Sequence, residues 1–519
     1  MSALLHDRVT RAAELRPDET AVVMRDEQLT YGAVEQRSNQ LARQLIDHGV
    51  RSGDRVCLLQ PKAPPAIVSM LATLKAGAVY VPIDIASPAA RVEKIVAAAD
   101  PCLLLASGEA SQLLSQLHVD VGVVSVAGAV EGAQSGPADT DAYDAGRLPT
   151  ISAPGDPAHI LFTSGSTGAP KGVVITHAMV GAFLDWALPY FGQRPGDRIS
   201  GHPPLHFDLS TFDIYGTLSS GAALYLVPGD LLLPRQLASF IRDAQLTQWF
   251  SVPSTFAYMA RGDAVSEGDF PSLRRIIWCG EVLPPAVLAY WMRRVPQCTY
   301  TNLYGPTEAT IASSYYTVPA IPRDEKAAIP IGTPCGGEDI HVLDESFDHA
   351  PPGEIGELYI EGDGLSPGYW RDEEKTREVF ITDPRTGRRM YRTGDLGRRD
   401  EQGLLHFVGR ADSQIKSRGY RIELGEIETA VTSVAGVAEC AVVAVPSEDF
   451  GGTAICCAWA SRPGVELDPR TLRGSLSQAL PSYMLPSRWL ELDELPKNAN
   501  GKIDRPNLRQ KFVAGSSDE

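Results

Sequence analysis

Residues 161–172 read LFTSGSTGAPKG, a run of hydroxyls and glycines with one lysine, set between the apolar stretches HIL and VVI. Flanks that short fit strands, so the run is a loop at a strand end, where open α/β sheets place their ligands. Gly165, Gly168 and Gly172 permit backbone conformations closed to other residues and let peptide N–H groups come close to an anion. Thr163, Ser164, Ser166 and Thr167 add hydroxyl donors, and Lys171 adds a positive charge. The composition fits a phosphate grip; taken alone it also fits a plain Gly/Ser turn. It is not the GxxxxGK[ST] loop, because Lys171 is followed by Gly172 and not by the Ser or Thr that holds magnesium there.

Outward from this loop, strand-like and helix-like periodicities alternate. Residues 21–24 and 28–31 read as paired strands, and Val34, Leu41, Leu45 and Ile46 mark a helix stopped by Gly49. Strands at 55–60, 78–83 and 102–106 alternate with helices ended by Gly77 and Ala99. Residues 128–157 turn to Gly, Ala, Asp, Ser and Pro and read as an irregular surface connection. A helix at 234–244 and strands at 247–252 and 275–279 resume the alternation, which predicts parallel sheets covered on both faces. Past residue 330, short strands punctuated by glycines predict a β-rich subdomain; from Leu424 a compact α+β pattern follows. The expected division is 1–410 for a large core, its β-rich part at about 325–410, and 411–519 for a small mobile domain.

Bulk properties narrow the function. At 519 residues, more than one domain is expected. A net charge of −17 disfavours nonspecific binding to nucleic acid or anionic membrane. The eight cysteines form no CxxC pair, so neither a zinc site nor a disulfide framework is indicated. With charges in the first ten residues and no long apolar run, a cytoplasmic protein is expected, a monomer or weak dimer.

Read together, the punctuated stretches resemble the adenylate-forming superfamily, in particular the free-standing amino-acid adenylation enzymes of nonribosomal peptide synthesis. LTYGAVEQ (29–36), LKAGAVYVPID (74–84) and the phosphate loop come first, then HFDLSTFDIYG (206–216) and NLYGPTEAT (302–310). GELYIEGDGLSPGYW (356–370), YRTGDL (391–396), GRADSQIKSRGYRIELGEIE (409–428) and NANGKIDR (498–505) complete the family's order over nearly the whole chain.

The resemblance implies ATP and Mg2+ as cofactors and assigns roles residue by residue. Gly280, Glu281, Asn302 and Gly305 belong to the ATP site, Tyr304 stacks on adenine, and Thr307 lies near the α-phosphate. Glu308 is the metal carboxylate, Asp395 accepts from the ribose hydroxyls, and Arg410 supports ribose and phosphate. Lys502 carries the first half-reaction as a mobile point charge. Asp412 matches the hinge about which the small domain turns, presenting Lys502 for adenylation and the neighbourhood of Gly419 for transfer.

Asp208 matches the aspartate that receives the substrate ammonium in amino-acid activating members, a group that acyl- and aryl-CoA ligases commonly lack. The carried-over pocket is Leu209, Phe212, Thr255, Ile277, Cys279, Leu303, Ile311 and Ala312, apolar and without further charge, which implies a small neutral side chain. WCGEVLPP with FDLS is similar to D-alanine carrier-protein ligases, so alanine is favoured, with proline next; Cys279 also fits an inert buried thiol. Only 14 residues follow Arg505 and no HHxxxD motif is present, so action in trans on a separate carrier protein's phosphopantetheine, or on an amine, is expected in natural-product biosynthesis. Arg418 with Arg421, and Arg293 with Arg294, are candidate docking charges for an acidic carrier. The alternatives are an acyl- or aryl-CoA ligase and an idle ATP-binding scaffold.

Overall fold

The computed structural model describes residues 4–165, 169–324, 327–447, 452–498 and 502–514, and among them the chain forms five sheets. A six-stranded sheet has the order Gly122–Ala127, Leu103–Ser107, Arg55–Leu59, Val79–Pro82, Pro157–Thr163, Lys171–Thr176; it is parallel except for its last pair. That exception has a local cause. Few residues separate Thr163 from Lys171 in sequence, so Thr163 pairs with Lys171 and Phe162 with Gly172, whereas a parallel neighbour needs a crossover.

A nine-stranded sheet is parallel through Thr299–Tyr304, Arg275–Cys279, Gln248–Ser251, Arg198–Gly201, Ala223–Leu226 and Thr20–Met24, with antiparallel strands at both edges. One apolar cluster joins the two sheets: Val22, Leu224 and Leu226 on one side, Val56, Leu58 and Leu105 on the other, with Ile67, Met70, Leu71 and Leu74 of helix Pro64–Lys75 in the same cluster. Burial on several faces explains why that helix is apolar nearly throughout instead of striped. Helix Tyr31–Asp47 starts where the Thr30 hydroxyl accepts from the Ala33 amide, which ends the preceding strand at Thr30.

The β-rich part is an antiparallel sheet of strands Glu338–Leu343, Gly356–Gly362, Phe380–Thr382, Arg389–Arg399 and Leu405–Arg410. The C-terminal α+β region has cores of its own, one built on Ile427, Val431, Val442 and Trp459, another on Ala441, Val443, Leu508 and Phe512. Strand pair Gln414–Ser417 and Tyr420–Glu423 projects from it as a hairpin. The stretch at 128–157 is mostly irregular, as its composition predicts, and backbone carbonyls of Ala145, Asp144 and Gly146 are held by Asn39 and Arg43. Among the described residues no helix is long and apolar enough to cross a membrane.

Candidate active site

The site opens at the C-terminal ends of the parallel strands, where Cys279, Tyr304 and Thr163 finish their sheets. One cavity is lined by Thr163, Ser164, Asp208, Leu209, Cys279, Gly280, Gly305, Thr307, Asp395 and Arg410, so residues expected to hold phosphate, substrate ammonium and ribose converge on it. Ser166, Thr167 and Gly168 lie outside the described residues. Gly165 is demanded by closeness: a Cβ there would run into the Ala169 carbonyl oxygen.

Glu308 sits in a short turn after strand Thr299–Tyr304 and is wholly buried. The Tyr369 hydroxyl donates to its Oε1 at 2.7 Å, and Arg421 Nη1 donates to Oε1 at 2.9 Å and Oε2 at 2.7 Å. Lys171 Nζ stands 3.9 Å away. Burial alone would push this carboxyl up; Arg421 and Lys171 overcome that and hold it at about 2, so it is ionised. Burial and the neighbouring Arg421 bring Lys171 down to about 8.

Tyr304 donates its hydroxyl to Asp395 Oδ2 at 2.7 Å, and Arg410 pairs with Oδ1 of the same carboxylate. Arg410 also grips Asp412, Nε to Oδ1 at 2.7 Å and Nη2 to Oδ2 at 2.6 Å. Asp395 and the expected hinge residue Asp412 are thus joined through one guanidinium. Asn302 gives its side-chain amide to the Pro330 carbonyl at 2.9 Å. Glu281 accepts from the Ser254 amide at 2.9 Å and from the Gly419 amide at 3.0 Å.

Burial raises Asp208 to about 6, against the Thr307 hydroxyl, the Leu209 amide and the charge of Lys416. Of the expected pocket positions, Leu209 and Cys279 line the cavity beside Asp208. Phe212, Ile277, Leu303, Ile311 and Ala312 are buried in the apolar cluster behind it, and Thr255 is half-buried on helix Pro253–Arg261. Burial lifts the Cys279 thiol to about 12, so it packs as a neutral group, its Sγ 3.8 Å from the Ile311 carbonyl. Ile311 holds φ +70 and Thr310 φ +53, left-handed conformations that are unusual for β-branched residues and costly unless the surroundings enforce them.

The C-terminal region enters the same cavity through its hairpin. Arg418 at φ +55 and Gly419 at φ +79 form the two-residue turn. A Cβ on Gly419 would meet Val252 Cγ1 at 2.7 Å, so conformation and space both require glycine. Tyr420 stacks on Tyr483 at 3.5 Å and meets Phe207 edge-on, and Lys416 lies 5.8 Å from the centroid of the Tyr304 ring. A buried ion pair, Arg91 to Glu426 at 2.6 Å, joins helix Ala89–Ala99 to helix Leu424–Thr432.

Lys502 is elsewhere. It is exposed, its amide donates to Asn498 Oδ1 at 3.1 Å, and it does not line the cavity. Arg421, expected as a surface docking charge, is instead inside on Glu308, because a buried carboxylate draws in the nearest guanidinium. Arg293 is exposed, and Arg294 pairs with Asp263 at 3.0 Å. Sequence reading missed the contributions of Tyr369, Lys416 and the Arg91–Glu426 pair; Tyr369, Lys416 and Glu426 stand in stretches quoted above, which give residue types without showing which groups meet.

Residues 9–370 match the family described as AMP-binding enzyme, and residues 426–502 match the AMP-binding enzyme C-terminal domain. The chain belongs to this adenylate-forming family. An L-proline--[L-prolyl-carrier protein] ligase of Streptomyces coelicolor is 36% identical over 497 residues, covering 92% of this chain and 91% of the relative. Surfactin synthase subunit 2 of Bacillus subtilis is also 36% identical, over 97% of this chain, which spans only 14% of that relative's length. Amide bond synthetase McbA of Marinactinospora thermotolerans superposes with a TM-score of 0.88 at 27% identity, over 98% of this chain and 100% of that one.

Proposed function

We propose that this family member activates a small neutral amino acid as its aminoacyl adenylate and then passes the acyl group to a separate carrier. The observation that carries the reading is the sharing of one cavity by Asp208, the phosphate-loop residues Thr163 and Ser164, and the Asp395–Arg410 pair. A carboxylate beside an apolar wall calls for a cation in the substrate, which an amino acid supplies and an aryl acid does not.

In the first step the substrate carboxylate oxygen attacks the α-phosphorus of ATP and pyrophosphate leaves. Lys502 neutralises the charge that develops there after the C-terminal domain, residues 411–519, has turned about Asp412 against the core at 1–410. In the second, a thiol or amine attacks the adenylate carbonyl, AMP leaves, and the nucleophile's proton is lost. Magnesium fits the site as a guest of one carboxylate: Glu308 is ionised and buried, and no cluster of three or more acidic, His or Cys ligands occurs among the described residues. Glu308 would hold such a cation, which would neutralise phosphate charge when bound. Thr307, next to Glu308 in sequence, lines the cavity, which supports its reading as the residue that meets the α-phosphate.

Alanine and proline are the two substrates to separate first, proline having the support of the Streptomyces coelicolor relative. The test is pyrophosphate exchange across amino acids of both hands, then mass spectrometry of carrier proteins offered as acceptors. Exchange with a single small amino acid, lost in Asp208→Ala, supports the reading. Exchange driven by aryl acids and unaffected by Asp208→Ala overturns it.

A further inference from the structure

The turn that carries Asp208 is gripped from the other sheet. Strand Arg198–Gly201 of the nine-stranded sheet ends at Gly201, and the chain leaves the ladder before it reaches Phe207 and Asp208. Lys62, just past strand Arg55–Leu59 of the six-stranded sheet, donates from Nζ to three successive carbonyls there: Gly201 at 2.7 Å, His202, and Pro203 at 3.5 Å. Carbonyls outside a ladder need donors, and an ammonium has three donors and no acceptor. The buried Asp213 stands close by: burial pushes its carboxyl well up, and the charge of Lys62 and the His202 amide oppose that push. Nearer to Asp208, the Phe207 amide donates to the Pro204 carbonyl at 3.0 Å, and Ser210 Oγ donates to the carbonyls of Leu205 at 3.2 Å and Phe207 at 2.7 Å. The turn is thus pinned at its foot by Lys62 and at its crest by its own amide and a hydroxyl. Lys62 does not line the cavity, so it reaches the substrate only through the turn.

We propose that Lys62 is a positioning residue for the amino-acid site, holding residues 201–207 so that Asp208 is aimed at the substrate ammonium. This rests on the reading of Asp208 as the carboxylate that receives that ammonium. The bonds tie the two sheets together at the foot of the turn, and a misplacement of about 1 Å at a binding group is enough to cost much of its effect. Asp208 would meet the ammonium in the ground state and the transition state alike, so the loss falls on amino-acid KM and leaves kcat. Thr163, Tyr304 and Asp395, read as parts of the ATP site, belong to other strands, so ATP KM should hold.

Pyrophosphate exchange is to be measured against the amino acid that the survey above selects, and against ATP, with thermal melting of each variant. Lys62→Met, of similar reach but without donors, should raise amino-acid KM about tenfold and leave kcat and ATP KM within about twofold. Lys62→Arg, which keeps a cation and its donors, should stay within about threefold of the wild type. On top of Asp208→Asn, Lys62→Met should add little, because no carboxylate is left to aim. If Lys62→Met does not fold, Lys62→Gln, which keeps two donors, carries the same test with a smaller rise. A lowered melting temperature with amino-acid KM unchanged would make the lysine a structural tie and overturn the proposal. An equal rise with and without Asp208→Asn would overturn it too. If no amino acid drives exchange, or Asp208→Asn by itself leaves amino-acid KM unchanged, the ammonium reading falls first and the proposal with it.

Discussion

Two parts of the C-terminal domain carry charges that the motifs tie to the reaction, and the structure treats them oppositely. The hairpin at 414–423 is docked, with Arg421 on a fully buried carboxylate and Gly419 bonded to Glu281. Lys502 faces solvent, its main chain turned back on Asn498. The difference fits the proposed two-step reaction: a domain that serves two steps would show one working surface at a time, and burial in one orientation would then be no measure of catalytic weight. The largest expected effect therefore lies at the exposed residue. Lys502→Ala should cut pyrophosphate exchange by roughly two to three orders of magnitude, the scale of losing one transition-state donor. Single-turnover transfer from aminoacyl adenylate supplied ready-made should stay near wild type. Equal loss in both assays would end the division of labour between the two surfaces.

The docked surface should break the other way. Gly419→Ala must place a methyl 2.7 Å from Val252 Cγ1 and hold φ +79, so docking weakens on two counts. Transfer should slow about tenfold to a hundredfold, from a steric and a conformational cost that together come to roughly 1.4–2.8 kcal/mol. Exchange should be unaffected. Adding Val252→Ala should return part of the loss, since it relieves the clash and leaves φ as it was. Next in size is Arg91→Ala. Removing one member of a buried pair costs about 3–5 kcal/mol where the partner cannot escape, but Glu426 regains water on undocking, so a slowing of transfer by about tenfold or less is expected. A quenched-flow comparison of the variants measures both effects on one scale.

How much of this was legible in the sequence depends on whether a feature is local. The strand–loop–strand at 161–172 follows from short apolar flanks around glycines, and the structure has it in register, Thr163 opposite Lys171. Strands such as Arg275–Cys279 and helices such as Ala89–Ala99 follow from periodicity for the same reason. Helix His177–Phe191 was not readable that way: it carries Pro189 and is apolar on most faces, so no stripe announces it. Strand Thr299–Tyr304 hides similarly, because every residue after Thr299 is buried and nothing alternates. Residue types at the site were legible from their motifs, yet the meeting of Arg421 with Glu308 spans 113 positions of sequence and depends on which way the domain is turned. Nor could periodicity reveal the left-handed Ile311, whose φ only its packing enforces.

The smallest effect sharpens the comparison from the large-domain side. Asp208 lies outside the hairpin, and its carboxyl is raised to about 6 chiefly by burial. Below that value the group is neutral and offers an ammonium no charge; above it the pair forms. The sign is therefore fixed: amino-acid KM should rise as pH falls, by about twofold from pH 7 to pH 6, the factor set by half-protonation of a single carboxyl. Bound ammonium itself favours the carboxylate, so the change belongs to KM and kcat should hold over this range. Asp208→Asn should bind weakly at every pH and lose the slope. Because Asp208 serves the substrate before either surface of the C-terminal domain has acted, Gly419→Ala should keep the same slope in exchange. A slope altered by that hairpin variant would mean that docking reaches the amino-acid pocket, and that the two surfaces are not independent.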